Sequence, residues 1–472
     1  MSIQWLSGHE PGAGACPACG STTSMRLLRL ERPGTEVDGA VVARCSECTS
    51  CYYERAAEFM VDHYAEDAHG IALAHYLQIG AGIDFMLRPV LAVPLPPQAS
   101  FLEVGCGVGF CVDYWARVRG APALGLERAQ YGRDGARLLG APISEAYLGE
   151  SPELAGRTFD FVYSSEVIEH VPDPAHFVRL LREAVAPRGL LALTTPSAAY
   201  VRPENTPSVV LAALAPGYHY FLLSRDALER LLREAGFRYV VVRQVNERLI
   251  AWASDQRFAA PDLERFQRAD YYRYLRLLGA SEHRDLRSGA QYRLFKELVN
   301  VGDYASADVA FDALRRSARD DYGVDLTDPP RLSAMRCTSF EEHMRRYPAW
   351  LGCALYYAGM LAGNHHGDVR QRLRYFEAAT RMLRHEIALS PMFAQEAESL
   401  LQTADFHFRQ ALLYALVDDL GRPLDPGWQQ RLSGELERFA ATPAVRSAFQ
   451  RPPLWRRLAH RAARLKTLAL SR

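Results

Sequence analysis

The chain has 472 residues, 49% of them hydrophobic and 23% charged, and its 55 basic side chains balance 55 acidic ones. That length exceeds one ordinary domain, so about two to four domains are expected; the lack of a cationic excess argues against a surface given over to nucleic acid. No apolar run approaches the roughly 18 to 20 residues that span a bilayer, and the start, MSIQWLSGHEPG, lacks a charged and then apolar leader, so a cytoplasmic protein without a transmembrane segment is expected.

Five of the nine cysteines, Cys16, Cys19, Cys45, Cys48 and Cys51, fall in one short stretch. Without an export signal, paired Cys-x-x-Cys motifs read as thiolate ligands and not as disulfides. Cys16-Pro-Ala-Cys19-Gly20 and Cys45-Ser-Glu-Cys48 stand 25 residues apart, and each two-residue spacing lets one tight turn aim both sulfurs at one ion. Residues 25–30 and 40–44 between the pairs alternate like two strands of a ribbon. Residues 1–56 therefore read as a structural zinc ribbon on Cys16, Cys19, Cys45 and Cys48, with Cys51 a spare able to replace Cys48 and a metal-free thiol cluster the alternative. Four thiolates would leave no open position for catalysis.

Residues 57–256 then alternate strands and helices behind a leading helical stretch. Strand Phe101-Leu102-Glu103-Val104 runs into Gly105-Cys106-Gly107-Val108-Gly109 and a helix from Cys111 to Arg119. A glycine turn alone also fits dinucleotide sites. Glu103 discriminates: a carboxylate at the strand end repels pyrophosphate but suits a phosphate-free ligand with a cationic amino-acid end, such as S-adenosylmethionine. A second strand ends in Glu127, placed to accept hydrogen bonds from ribose hydroxyls. Further strands are expected at 141–145, 159–163, 190–194 and 239–243, with helices at 129–139, 174–186 and 225–235 and a final hairpin to 248–252. That order predicts a doubly wound, mainly parallel sheet.

FLEVGCGVG (101–109), LGLE (124–127), FDFVYSSEVIEHVPDP (159–174), GLLALTTP (189–196) and HYFLLSRDALERLLREAGF (219–237) resemble the class I S-adenosylmethionine-dependent methyltransferases, specifically those with an N-terminal zinc ribbon. The resemblance covers roughly residues 16 to 255 and implies an α/β, Rossmann-like seven-stranded sheet. It implies that the backbone at Gly105 and Gly107 lies against the methionine moiety, that Glu127 holds the ribose, and that Ser144 or Glu145 lies near the adenine. Many relatives carry an aspartate at that last position. Cys106, expected to contribute only its backbone amide, Gly109 and Ser164 complete the expected cofactor contacts.

Methyl transfer is an in-line displacement, so the protein must align an acceptor and handle its proton. Candidates follow the strand carboxyl ends: Glu166, Glu169 and His170 share one face if a helix begins there, and His219 lies in Gly217-Tyr218-His219-Tyr220. In one reading Glu166, Glu169, His170 and His219 hold a magnesium-like ion, a pattern that resembles the metal sites of small-RNA 2'-O-methyltransferases and ubiquinone-biosynthesis O-methyltransferases. In the other, His219 is a metal-free general base with Tyr218 or Tyr220 positioning the acceptor; a structural histidine is the third. Residues 197–216, with an apolar helical stretch at 209–214, are expected to cover the substrate or simply to pack.

Residues 257–472 lose strand alternation and read as a helical extension. Gly302-Asp-Tyr-Ala-Ser-Ala looks like the turn of a tetratricopeptide-type hairpin, without a strict period. Dense tyrosines (Tyr271, Tyr272, Tyr274, Tyr356, Tyr357) are expected in cores, and Gly363-Asn-His-His-Gly-Asp368 as a polar turn. The acid-free end, 451–472, reads as a basic amphipathic helix that either docks on the helices or lies on an anionic membrane. The expectation is an S-adenosylmethionine-dependent methyltransferase acting on a hydroxyl of a sugar, glycan precursor or small metabolite, with the helical part supporting the substrate site or assembly into an oligomer or complex. Carbon methylation of a nucleotide-linked keto sugar, RNA 2'-O-methylation and a non-catalytic scaffold are the alternatives.

Overall fold

A computed structural model describes residues 1–7, 9–60, 69–79, 82–150, 154, 156–389 and 395–418. The basic segment 451–472 lies outside them. The chain divides into two compact units, Met1–Arg293 and Leu294–Arg472.

The first unit opens with strands β1 (Ser2–Trp5), β2 (Ser24–Glu31), β3 (Val41–Cys45) and β4 (Cys51–Tyr53), an antiparallel ribbon. Helices α1 (His69–Ile79) and α2 (Leu87–Leu91) lead into a second sheet, with a π-helical turn at Gly82–Met86 between them. Its strands are β5 (Phe101–Val104), β6 (Ala123–Leu126), β7 (Ile143–Ser144), β8 (Phe159–Ser165) and β9 (Val185–Pro196). Helices α3 (Phe110–Tyr114), α4 (Gln130–Leu139), α5 (Pro174–Ala184) and α6 (Pro207–Leu214) lie between or after these strands. The short strand β10 (Phe221–Leu222), helix α7 (Arg225–Glu234) and the hairpin β11 (Tyr239–Val245) and β12 (Arg248–Ser254) complete the alternation.

The second sheet has the order β11-β12-β9-β8-β5-β6-β7, parallel except for β12. The chain moves outward from β5 on one side and restarts at β8 on the other, so the order reverses between β5 and β8. In open α/β sheets that crevice, outside the strand carboxyl ends, is where ligands bind. All four residues of β5 and all but one of β8 are buried, as strands covered on both faces require. Helix α5 stops two residues earlier than expected. Its chain turns at Val185 into β9, whose first residue already pairs with Phe159.

β10 does not join this sheet. It pairs antiparallel with β4 as the fifth strand of the ribbon, so a segment between β9 and α7 closes the N-terminal sheet. One ribbon face, with Ala43, Cys45 and Tyr52, shares a core with Phe221, Leu223, Leu228 and Leu231. The other face, with Leu28, Leu30, Val42 and Tyr53, is covered by Val210, Ala213 and Leu214 of α6. Helix α6 thus packs on the ribbon.

Helix α8 (Arg268–Leu278) follows, with Tyr271 and Tyr274 fully buried, and α9 (Arg284–Asn300) runs across the unit boundary. The second unit continues with α10 (Tyr304–Tyr322), α11 (Pro329–Ser333), α12 (Phe340–Arg346), α13 (Leu351–Asn364), α14 (Val369–Leu389) and α15 (Gln395–Asp418). The Gly302 turn forms with positive φ, and the Asp303 side chain caps α10 by accepting from the Ser306 amide. Tyr356 and Tyr357 are core residues, and Gly367 lies in the turn between α13 and α14. Among the described residues no helix is long and apolar enough to cross a membrane.

Candidate functional site: a glycine turn facing a histidine pair

The turn after β5 is built by glycines at φ +72 (Gly105), +53 (Gly107) and +83 (Gly109), a backbone region other residues rarely adopt. The amides of Gly105 and Cys106 both donate to the Leu126 carbonyl (2.8 and 3.0 Å). The Cys106 amide is therefore engaged within the fold, contrary to its expected role toward a ligand. Its sulfur lies against Gly125, where a Cβ would stand 2.6 Å away. The Glu127 carboxylate accepts from the Gly107 amide (3.0 Å) and the Ala129 amide (2.8 Å), which fixes it beside the turn.

Glu103 is 2% exposed, and its Oε2 has no hydrogen-bond partner among the described residues. Burial pushes its carboxyl up to about 8, against a weaker opposing hydrogen bond from the Cys111 thiol. A buried acceptor without a donor is costly unless a ligand completes it. A cationic amine meets that requirement, and so the residues present fit the amino-acid end of S-adenosylmethionine.

Ser144 stands half-buried at the end of β7, its carbonyl accepting from the Glu127 amide (3.1 Å). Glu145 is exposed and ion-paired with Arg133 (2.9 Å). The Ser164 hydroxyl donates to the Val104 carbonyl (3.2 Å), tying β8 to β5. Three residues add to this half without having been singled out in the sequence. In α4, a Cβ on Gly135 would lie 2.0 Å from the Val108 carbonyl and one on Gly132 would lie 2.7 Å from that of Glu127, so both glycines let the helix close on the turn. Their i, i+3 spacing on one helix face was the available signal. Tyr76 of α1 stacks on Phe110 and lies near Tyr131, and a Cβ on Gly107 would come within 3.4 Å of its hydroxyl. Its ring stands over the turn.

Across the crevice, the segment after β8 does not form the α-helix that would align Glu166, Glu169 and His170. Glu166 adopts φ +57, and only a 3-10 turn, Ile168–His170, follows. The consequence is a separation. Glu166 accepts from Thr194 (3.0 Å) and pairs with Arg248 (3.2 Å), whose guanidinium also lies 4.0 Å from the Phe85 ring centroid. Glu169, His170 and His219 remain together, with one ligand atom from each within 4.8 Å of the others.

Glu169 is fully buried. Its Oε2 accepts from Thr195 (2.9 Å), while its Oε1 has no partner among the described residues. Burial holds this carboxyl well above the usual range, and the nearby Glu166 charge adds to that. The two imidazoles meet edge to face at 4.6 Å. His170 Nδ1 lies 2.9 Å from the Tyr218 carbonyl and His219 Nδ1 lies 2.7 Å from that of Ala213. Only a protonated Nδ1 bonds a carbonyl, so Nε2 is the basic nitrogen of each ring. Tyr218 is 40% exposed beside them.

In the ribbon, Cys16, Cys19, Cys45 and Cys48 converge, with sulfurs 3.6 Å apart for Cys16 and Cys48 and 3.5 Å for Cys19 and Cys45. A tetrahedral ion with bonds of about 2.3 Å needs sulfurs about 3.8 Å apart, close to what is found. The hydrogen bond from Cys16 pulls the Cys48 thiol down to about 4. Cys51 stands apart from this group, buried in β4.

A parallel-stranded α/β domain with a glycine turn, an acidic residue near the end of each of its first two strands and a polar cluster across the switch point has the Rossmann-like architecture. Within that architecture, residues 73–242 match the family profile described as a methyltransferase domain. Curated relatives include ubiquinone biosynthesis O-methyltransferases from Cereibacter sphaeroides (31% identical, 31% of this chain and 63% of the relative) and Methylobacterium nodulans (31%, covering 35% and 66%). A third, from a Chelativorans species, is 29% identical over 43% of this chain and 81% of its own length. The chain spans less than two thirds of the length of the first two relatives. Over these residues the chain is similar to class I S-adenosylmethionine-dependent methyltransferase domains.

Proposed function

We propose that the chain methylates a hydroxyl group on a small acceptor, with S-adenosylmethionine as donor and His219 as the general base. The observation that carries this is the pair of imidazoles beside Glu169, each with Nδ1 directed at a carbonyl and Nε2 basic, across the crevice from the glycine turn. Bound at that turn, S-adenosylmethionine supplies an electrophilic methyl group on a sulfonium. His219 Nε2 would take the hydroxyl proton as the oxygen–methyl bond forms and the sulfur–methyl bond of the sulfonium breaks, its electron pair staying on the departing neutral thioether, and Tyr218 would position the acceptor. The O-methyltransferase activity named for the relatives favours oxygen over carbon as the acceptor atom. A sugar or glycan hydroxyl, a cytoplasmic location, a supporting or assembly role for residues 257–472, and a structural zinc ion on Cys16, Cys19, Cys45 and Cys48 belong to the same proposal.

A second reading is favoured by the unsatisfied Glu169 Oε1: a divalent ion held by Glu169, His170 and His219. One carboxylate and two imidazoles suit a borderline ion better than magnesium, and Glu166 is withdrawn to Arg248. The test is methyl transfer from labelled S-adenosylmethionine to a panel of phenolic and sugar hydroxyls, with and without a chelator mild enough to leave the cysteine site loaded. Transfer unchanged by chelation supports the metal-free base. Loss restored by added divalent ion supports the second reading, and no transfer to any hydroxyl overturns both.

A further inference from the structure

The ribbon's hydrogen bonds run to the wall that carries the histidines. β4 pairs with β10 through Tyr52–Phe221 and Cys51–Leu222, two residues after His219. The Tyr53 amide donates to the Tyr220 carbonyl (3.2 Å), and the Tyr220 amide donates to the Glu169 carbonyl (2.8 Å). One residue's backbone thus joins the ribbon strand to the loop that holds the buried glutamate. The Tyr53 hydroxyl donates to the Leu214 carbonyl (3.2 Å) and Arg44 to that of Val201 (2.6 Å), fixing both ends of the segment whose Ala213 carbonyl orients His219.

The cysteine turns themselves are anchored to α7. The Ser224 amide donates to the Ser50 hydroxyl (3.0 Å), the Ser224 hydroxyl donates to the Cys48 carbonyl, and Arg230 donates to the Ala18 carbonyl (3.2 Å) between Cys16 and Cys19. Ser224 is also the N-cap of α7. Both cysteine turns are therefore bonded to the element that follows the histidine segment, and β4 is bonded to the segment itself.

We infer that the ribbon is the positioning frame of the acceptor side: a metal ion in the four-cysteine site sets the placement of His219 relative to Glu169 and His170, through β4, Tyr220 and Ser224, while the glycine turn is set by the second sheet. Tyr220, Ser50 and Ser224 are positioning residues. Their backbone or hydroxyl groups act through the histidines, where a displacement near 1 Å is enough to cost about a hundredfold in rate. This inference rests on the reading of His219 as the base.

The experiment uses the full chain with its metal content measured, compared after displacement of the metal by a thiol reagent and alongside Ser50→Ala. Three readouts are taken: S-adenosylmethionine affinity by titration calorimetry, the imidazole Cε1–H resonances of His170 and His219 with their pH titration, and kcat and KM for methyl transfer. On metal displacement the expected result is cofactor affinity within twofold, shifted His219 and His170 resonances, and kcat lowered at least tenfold. For Ser50→Ala, with metal content intact, the same resonances shift and kcat falls about threefold with little change in cofactor affinity. Unchanged resonances overturn the inference, as does a loss of cofactor affinity parallel to the loss of rate, since the ribbon would then support the whole unit and not one wall. If the resonances move but His219→Ala transfers methyl groups at the native rate, the base assignment fails while the positioning frame stands.

Discussion

The two walls of the crevice are assembled in different ways. The cofactor wall comes largely from one continuous stretch, residues 101–145, in which strand, turn and helix succeed each other and the glycine turn and Glu127 are held by hydrogen bonds within that stretch. The histidine wall is gathered from residues 44–53, 164–170, 194–195 and 201–224, with supports from the cysteine ribbon among them. Local assembly leaves a motif in the sequence. Assembly from distant segments leaves single residues whose meaning depends on partners more than 150 positions away.

The sharpest way to separate the walls is to disable one and measure the other. His219→Ala removes the proposed base and is expected to lower kcat about 10²- to 10⁴-fold, the usual worth of a positioned general base. Cofactor affinity should stay within twofold in calorimetry, because the Glu103 side is untouched. A parallel fall in both would show that the two walls are not independent.

Glu103→Gln is the reciprocal experiment. Replacing a charged acceptor of the cofactor's amine should weaken binding about ten- to a hundredfold, since hydrogen bonds to charged groups contribute about 1.5–3 kcal/mol. The same residue has a pH signature with a defined sign. Its folded-state pKa, near 8, lies above the ordinary 4.5, so the cofactor-free fold binds one proton more than the unfolded chain between those values. Its contribution is fully present below about 4.5, and stability falls as pH rises through the window toward 8. Denaturant titrations of the cofactor-free protein at pH 5, 7 and 8.5 should show that decline, and Glu103→Gln should flatten it.

The same contrast explains what the sequence made legible. The glycine turn, both strand-end acids and the Cys-x-x-Cys pairs are short-range patterns, and each is where the spacing placed it. The expected alignment of Glu166 with Glu169 and His170 failed because α-helical spacing was assumed where the backbone turns sharply at Glu166. The partner that draws Glu166 away, Arg248, is 82 residues distant. The fifth ribbon strand was illegible for another reason: two residues carry no periodicity, and only β4 makes them a strand. Tyr76 was hidden because its helix carries no motif.

Tyr76→Ala addresses that hidden residue. Its loss removes stacking on Phe110 and cover over Gly107, contacts worth about 0.5–1.5 kcal/mol. A roughly three- to tenfold weaker cofactor affinity is expected, with His219 resonances unmoved. If those resonances did shift, α1 would have to be counted with both walls.

Ser164 marks the line between the walls and has the smallest expected effect. Ser164 is expected among the cofactor contacts, yet its hydroxyl donates to the Val104 carbonyl, one strand away and at the root of the glycine turn. If that bond is its task, Ser164→Ala should cost about 1 kcal/mol of stability, the net worth of one neutral hydrogen bond with a buried carbonyl left behind, and leave cofactor affinity within twofold. If Ser164 instead turns to the ligand on binding, affinity should fall by more than stability does. Denaturant unfolding and calorimetry on the same variant distinguish the two, because a bond present in both free and bound protein cancels from the binding equilibrium, whereas one made only with ligand does not.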